Sequence, residues 1–148
     1  MTTDIQGVNF NTLTVSSIEP LTDDAVAITF HVPDDLADSY RFTPGQHIAV
    51  RADIDGQDVR RTYSICADAA SRRLRIGVKR VEGGLFSTFA TTRLRSGDRL
   101  DVTPPHGEFT IETAADTARH YGAIAAGSGI TPVLSMISSV LAGSVLLV

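Results

Sequence analysis

Cysteine is nearly absent from this chain: one residue, Cys66, in 148. No internal disulfide can form, and no metal centre can be built on thiolates. Histidine offers no substitute, because His31, His47, His106 and His120 are scattered without ligand-type spacing. A protein-held metal is therefore not expected, and the lone cysteine fits a reducing compartment. Cations are not in excess either. The formal net charge of −4 argues against a nucleic-acid surface and against a polybasic membrane patch. Long apolar runs are also missing: the stretches at 121–127 and 145–148 fall far short of a membrane span. Met1-Thr2-Thr3-Asp4 has neither the basic region nor the apolar run of a signal peptide. A cytoplasmic location, with no nucleic-acid and no membrane partner, is the expectation.

What is present is an ordinary globular composition, 43% hydrophobic and 20% charged, enough to bury a core. Most of it has a period of two. Residues 10–18 alternate loosely. Pro20 and Thr22-Asp23-Asp24 read as a turn, and Val26, Ile28, Phe30 and Val32 then alternate with Ala27, Thr29 and His31 as a half-buried strand. Pro44-Gly45 specifies a type II turn, because proline presets the first φ and glycine accepts the positive second one. Ile48, Val50 and Ala52 alternate up to Asp55-Gly56, a hairpin signal. The strand leaving that turn carries Arg60-Arg61-Thr62-Tyr63-Ser64-Ile65. Leu74, Ile76 and Val78 make the next strand, Leu100 and Val102 another, and Phe109 and Ile111 suggest one more.

Between the last strands the period becomes helical. Leu85, Phe86, Phe89, Ala90 and Leu94 share a face, Arg93 and Arg95 suit the last turn, and Gly97 fits the position just past the helix. About six strands with short antiparallel connections and one helix predict a small mostly-β barrel or sandwich.

Residues 113–119 are small and polar and read as a joint between a domain at 1–112 and a segment at 120–148. After it the run at 121–126 resembles a parallel strand buried on both faces. Gly127-Ser128-Gly129 is a turn, and Thr131-Pro132 reads as a cap followed by proline at the first helical position. Val133, Met136, Ile137, Val140 and Leu141 lie on one helical face, Gly143 ends the helix, and 145–148 reads as a second buried strand. This is the β–α–β opening of a doubly wound α/β domain.

Three stretches carry candidate chemistry. On a strand, Arg61 and Tyr63 share a face about 7 Å apart. A forked cation beside a flat ring suits a ligand with a phosphate at one end and a fused aromatic at the other, although the same string also describes a surface arginine beside a half-buried tyrosine. Gly83-Gly84-Leu85-Phe86-Ser87 puts glycines before a helix, whose free N–H groups favour an anion by about 0.3–1 kcal/mol through the dipole alone. Gly127-Ser128-Gly129-Ile130-Thr131-Pro132 sits between strand and helix, where a dinucleotide places its pyrophosphate, but matches only half of the G-x-G-x-x-G pattern. Cys66 reads as a packed small side chain, and His106 is assigned no catalytic role.

Taken in order, these strings resemble the ferredoxin–NADP reductase family. The likeness is carried by residues 40–47, 60–66, 82–87 and 123–132 and covers about residues 10–148. It implies a six-stranded antiparallel Greek-key barrel that holds FAD (FMN would also offer a phosphate to the arginine), followed by an α/β domain for NAD(P)H. By resemblance Arg61 grips the flavin pyrophosphate and Tyr63 stacks on the isoalloxazine. Ser64 lies near N5, the hydride acceptor, so that Tyr63 and Ser64 are the catalytic candidates. Val78 and Lys79 end the adjoining lysine-containing strand. Gly84, Leu85, Phe86 and Ser87 present a helix N-terminus to the pyrophosphate. Gly127, Gly129, Ile130, Thr131 and Pro132 face the nicotinamide nucleotide.

The implied reaction is hydride transfer from NAD(P)H to the flavin, with electrons passing singly to an iron–sulfur domain or oxygenase component. A plant-type iron–sulfur domain needs four cysteines, so that centre lies outside this stretch. The family's nucleotide domain also runs beyond one β–α–β unit. The chain is therefore expected to be shortened and impaired as a reductase, with its last helix face exposed and prone to dimerise or swap. Two other classes compete with an active reductase: a flavin-binding fragment without turnover, and a barrel that serves only as an interaction module. Strict alternation leaves one conflict, since it puts Ser64 on the opposite face from Tyr63 unless the strand ends there.

Overall fold

The computed structural model describes residues 2–3, 9–112 and 119–143. Seven strands are present: β1 (Thr2–Thr3), β2 (Asn9–Thr22), β3 (Ala25–His31), β4 (His47–Ile54), β5 (Gln57–Ser64), β6 (Leu74–Lys79) and β7 (Arg99–Val102). Two helices accompany them, α1 (Leu85–Thr92) and α2 (Ile130–Gly143). All pairings are antiparallel, in the order β5-β4-β7-β2-β3-β6 with β1 beside β2. The sheet curls until its two edges meet. Ile65, just past β5, bridges Ile76 of β6, and the Cys66 N–H donates to the Arg75 carbonyl at 2.9 Å. The expected six-stranded barrel is thus the observed architecture.

Its interior follows the pleat. Leu13, Val15, Ile28, Ile48, Val50, Ile76, Val78, Leu100 and Val102 all turn inward and are buried, as residues two apart on one strand face must. α1 plugs one end with Phe86, Ala90 and, just beyond it, Leu94. Full burial of a side chain the size of Phe86 stabilises the fold by about 1.5–3 kcal/mol. Tyr40 reaches in from a loop, where its hydroxyl donates to the Val102 carbonyl at 2.7 Å and accepts from Asn11. The hairpin turn is the one Asp55-Gly56 specifies, with both residues at positive φ (54° and 81°). Gly45 likewise sits at φ 102°, in a turn closed by Gln46 N–H to Thr43 O at 3.1 Å.

Several expectations are corrected. Pro20 lies inside β2, opposite Val26, where the register shifts; such an irregularity tolerates a residue without an N–H, and the turn begins only after Thr22. Phe109 and Ile111 form no strand: Phe109 is 66% exposed, and the barrel path ends instead at a single bridge between His106 and His47. α1 stops at Thr92 with Arg93 as its cap, and Gly97 (φ 96°) serves the next turn, Arg95 to Asp98. Arg95 still caps the helix, since its guanidinium donates to the carbonyls of Thr92 and Leu94.

The segment at 121–126 is not a buried strand. It is exposed throughout, Ile124 completely so. Extended backbone becomes a strand only when a neighbour takes its N–H and C=O groups, and no described strand lies beside it. The expected strand at 145–148 lies outside the described residues.

Candidate flavin site

The register of the β4–β5 hairpin decides what faces the barrel. Ile48 pairs with Tyr63 and Val50 with Arg61. Directly paired residues share a face, so Arg61 and Tyr63 point to the same side as two fully buried aliphatic residues. Tyr63 is half-buried there, its ring centroid 5.7 Å from that of Phe86. Burial pushes its phenol up from the ordinary value, and the Arg61 charge pulls it partly back; the ring stays neutral at physiological pH. Arg61 is exposed at the barrel mouth and its guanidinium donates to its neighbour's carbonyl, that of Arg60. Ser64 pairs with His47 and so falls on the other face. It is also the last residue of β5, which is where the alternation conflict allowed the chain to depart from strict pleating.

α1 packs against β4, β5 and β6, which brings its start to the same end of the barrel. Gly83 has φ 72°, and Gly84 is the N-cap with extended backbone. A Cβ on Gly84 would stand 2.5 Å from Ser87 Oγ and 3.0 Å from the Val81 carbonyl, so only glycine fits. The first intrahelical bond is Thr88 N–H to Gly84 O at 3.0 Å. The N–H groups of Leu85, Phe86 and Ser87 precede it and are the ones a helix leaves for an outside acceptor. The Ser87 hydroxyl is occupied differently from expectation. It is buried, accepts from Val81 N–H at 3.1 Å and donates to the Gly84 carbonyl at 3.3 Å. It shapes the loop, leaving the backbone as the donor surface. Phe86 is core, while Leu85 is 42% exposed at the helix start. A cleft of about 210 Å³ runs from Gly83 and Gly84 past Phe89 to Ile54 and Asp55 at the hairpin tip, where Arg93 grips Asp55 through two bonds of 2.9 and 3.1 Å.

Val78 and Lys79 contribute no side chain here. Val78 is in the core, and Lys79 forms an ion pair with Asp24 at 3.6 Å; only their main chain is left to touch a ligand. The turn at Gly127, Ser128 and Gly129 is exposed or half-exposed, with Gly127 at φ 56°. α2 begins at Ile130, which places Thr131 and Pro132 inside its first turn rather than at cap and first position. Thr131 donates its hydroxyl to the Ser128 carbonyl at 3.0 Å, and its methyl approaches the Cβ direction of Gly77 on β6 to 3.4 Å. So the structure gathers Arg61, Tyr63 and the α1 start at the inner mouth of the barrel, and sets Thr131 beside β6.

Sequence reading missed four groups. Ser135 and Ser139 are buried against the barrel, and the expected apolar face of α2 is largely turned the other way. Gly45 makes room for the Phe109 carbonyl and Met136. His47 and His106 stack edge-on with centroids 4.2 Å apart. Arg51 and Arg60 cover the Phe10 ring at 4.4 and 5.2 Å, with Arg51 paired to Asp101. Of these only Gly45 is signalled in the sequence, through the Pro44-Gly45 turn.

An apolar barrel mouth holding one aromatic ring, one arginine and one helix N-terminus is the form of a flavin-nucleotide site, and the residues present fit such a group. The family model "Oxidoreductase FAD-binding domain" matches residues 12–111, and the chain belongs to that family. One component of the 1,2-phenylacetyl-CoA epoxidase from Escherichia coli (strain K12) is 46% identical over 132 residues, 89% of this chain and 37% of its own length. The ferredoxin reductase component of 3-ketosteroid-9-alpha-monooxygenase from Rhodococcus rhodochrous is 36% identical over 131 residues, 87% of this chain and 36% of its own. The fold is shared with phthalate dioxygenase reductase, a modular structure for electron transfer from pyridine nucleotides to a 2Fe–2S centre. That match has a TM-score of 0.64 and 26% identity, over 90% of this chain and 40% of that one. The chain spans just over a third of the length of both curated relatives. Among the described residues no helix is long and apolar enough to cross a membrane.

Proposed function

We infer that this chain is the flavin-holding part of a reductase serving an oxygenase system, one of the phenylacetyl-CoA epoxidase type. Bound FAD supplies the chemistry of accepting a hydride from NAD(P)H and passing electrons on one at a time. The chain's own residues bind and orient. Arg61 gives a bidentate, permanently charged partner for the pyrophosphate. The Gly84 turn and the N–H groups of Leu85, Phe86 and Ser87 receive the same group at the positive end of α1. Tyr63, backed by Phe86, offers a neutral face for the ring system, and Ser64 closes the strand where N5 is expected. The main chain of Val78 and Lys79 borders the ring's other edge. Gly127, Gly129, Ile130, Thr131 and Pro132 present a turn to the incoming nicotinamide nucleotide. The acceptor is an iron–sulfur domain or oxygenase component.

The observation that carries this reading is the inner-face placement of Arg61 and Tyr63 beside a glycine-capped helix start. Its test is an anaerobic visible spectrum of the FAD-loaded chain before and after NADH or NADPH. Bleaching of the flavin bands is expected. A second reading, FAD binding with little turnover, is favoured by the exposed run at 121–126 and by the apolar side of α2, where Leu141 is 67% exposed. It predicts a yellow protein that does not bleach, and a barrel used only as an interaction module predicts no colour.

A further inference from the structure

The buried face of α2 carries two serines beside Pro132 and Met136. Ser135 is fully buried and Ser139 is 6% exposed. The Ser135 hydroxyl donates to the Ala67 carbonyl at 2.7 Å, and Ser139 Oγ accepts from the Ala69 N–H at 2.9 Å. Residues four apart on a helix stand one above the other, so the two hydroxyls reach one short stretch of chain. That stretch directly follows the Tyr63–Ser64 end of β5 and leads into β6. At the other end of the contact, the Thr131 methyl stands over Gly77 of β6, 3.4 Å from where a Cβ on that residue would lie. The helix is therefore held at two places, the connection from β5 to β6 and β6 itself. Its other side, with Val133, Ile137 and Leu141, opens onto a cleft of about 720 Å³.

Hydrogen bonds fix register in a way apolar contact does not. Sliding or turning α2 by one residue rotates it about 100° and strands two buried hydroxyls, a buried carbonyl and a partly buried N–H, each costly to leave unpaired in proportion to its burial. Only one seating of the helix satisfies all four groups. That seating sets where the turn at 127–131 stands relative to β6.

We propose that Ser135 and Ser139 are positioning residues, a latch that holds the 127–131 turn at the β6 edge of the flavin site and so places a dinucleotide donor for transfer. This rests on the reductase reading given above. The latch acts on the nucleotide-binding turn and leaves the flavin pocket itself unchanged. It should therefore matter for a donor gripped by its nucleotide and not for a bare dihydronicotinamide.

The test uses the full chain loaded with FAD, as wild type, Ser139→Ala and the double variant Ser135→Ala/Ser139→Ala. Flavin reduction is followed with NADH or NADPH, and separately with 1-benzyl-1,4-dihydronicotinamide, which carries no nucleotide. The latch predicts unchanged FAD retention and a rate with the dinucleotide lower by roughly tenfold in the double variant, the effect of about one lost hydrogen bond. The benzyl donor should change by less than about twofold, a split that general loosening of the fold would not produce. Amide hydrogen exchange gives the second readout: Ala69 and residues 127–131 should exchange at least about tenfold faster in the variants. Parallel loss with both donors, or unaltered exchange at 127–131, overturns the latch. A wild type that keeps FAD but is reduced by neither dinucleotide defeats the reductase reading instead, and the exchange result alone then decides the latch.

Discussion

Arg61 stands on a hairpin face with Ile48, Val50, Ala52, Ile54, Gln57, Val59 and Tyr63. Its guanidinium is exposed and bonded to the Arg60 carbonyl, and no ion pair to a carboxylate is formed by it among the described residues, which leaves it available to an anion at the mouth. Arg61→Ala should cost about 1.5–3 kcal/mol of FAD affinity, the range for a hydrogen bond to a charged group. A fluorescence titration measures it, and an unchanged affinity would remove Arg61 from the site. His47 supports a second prediction at this scale. Partial burial, and then the neighbouring His106, hold its pKa below the ordinary 6.5. Because the folded value is depressed, the neutral ring's contribution to stability is fully present above pH 6.5 and is lost as pH falls through the folded pKa. Thermal melts at about pH 8 and about pH 5 should show a decrease that is smaller in His47→Gln. An equal decrease in both proteins would rule out the histidine as its source.

At the scale of elements, much was legible in the sequence and the exceptions share a cause. The hairpin at Asp55-Gly56, the Pro44-Gly45 turn and the strands with clean alternation are set by local chemistry, and they formed where expected. The apolar period places α1, and Gly84 stands as its N-cap with a second structural role. Besides freeing the helix N-terminus, it leaves room for the Ser87 hydroxyl to tie the loop. Gly84→Ala would drive a methyl into Ser87 Oγ and the Val81 carbonyl. It should destabilise the domain by about 1–3 kcal/mol, as overpacking does, and weaken FAD binding alongside. A chemical denaturation curve that overlays wild type would contradict the crowding.

Helix α2 shows where the reading failed. Its apolar period points to Val133, Met136, Ile137, Val140 and Leu141 as the packed face, yet of these only Met136 is buried, together with Pro132, Ser135 and Ser139. Hydrophobic periodicity measures what a face can lose to water. It does not register two hydroxyls that meet a carbonyl and an N–H contributed by a distant loop. The run at 121–126 failed for a related reason, since strand character needs a partner that local sequence does not name.

At the scale of the whole described structure, the sheet is a barrel whose edges meet, and the helix that stops one end turns its N-terminus to a cleft beside the β4–β5 hairpin tip. The core, the β4–β5 hairpin and the start of α1 are readable because they depend on alternation and on glycine at forced positions. The seating of α2 and the His47–His106 contact were not, because they depend on side chains brought together from distant parts of the chain. A ligand that binds only the folded barrel should raise its stability by about 2.7 kcal/mol at a free concentration one hundred times Kd. The melting temperature should therefore climb with added FAD and stay flat with riboflavin, which lacks the phosphates that we assign to Arg61 and the α1 N-terminus. The most direct test of the flavin assignment is gel filtration of the chain after incubation with excess FAD, read at the visible flavin bands. Co-elution of one FAD per chain is expected. A colourless protein peak that still shows the circular dichroism of an intact β-barrel would contradict the assignment.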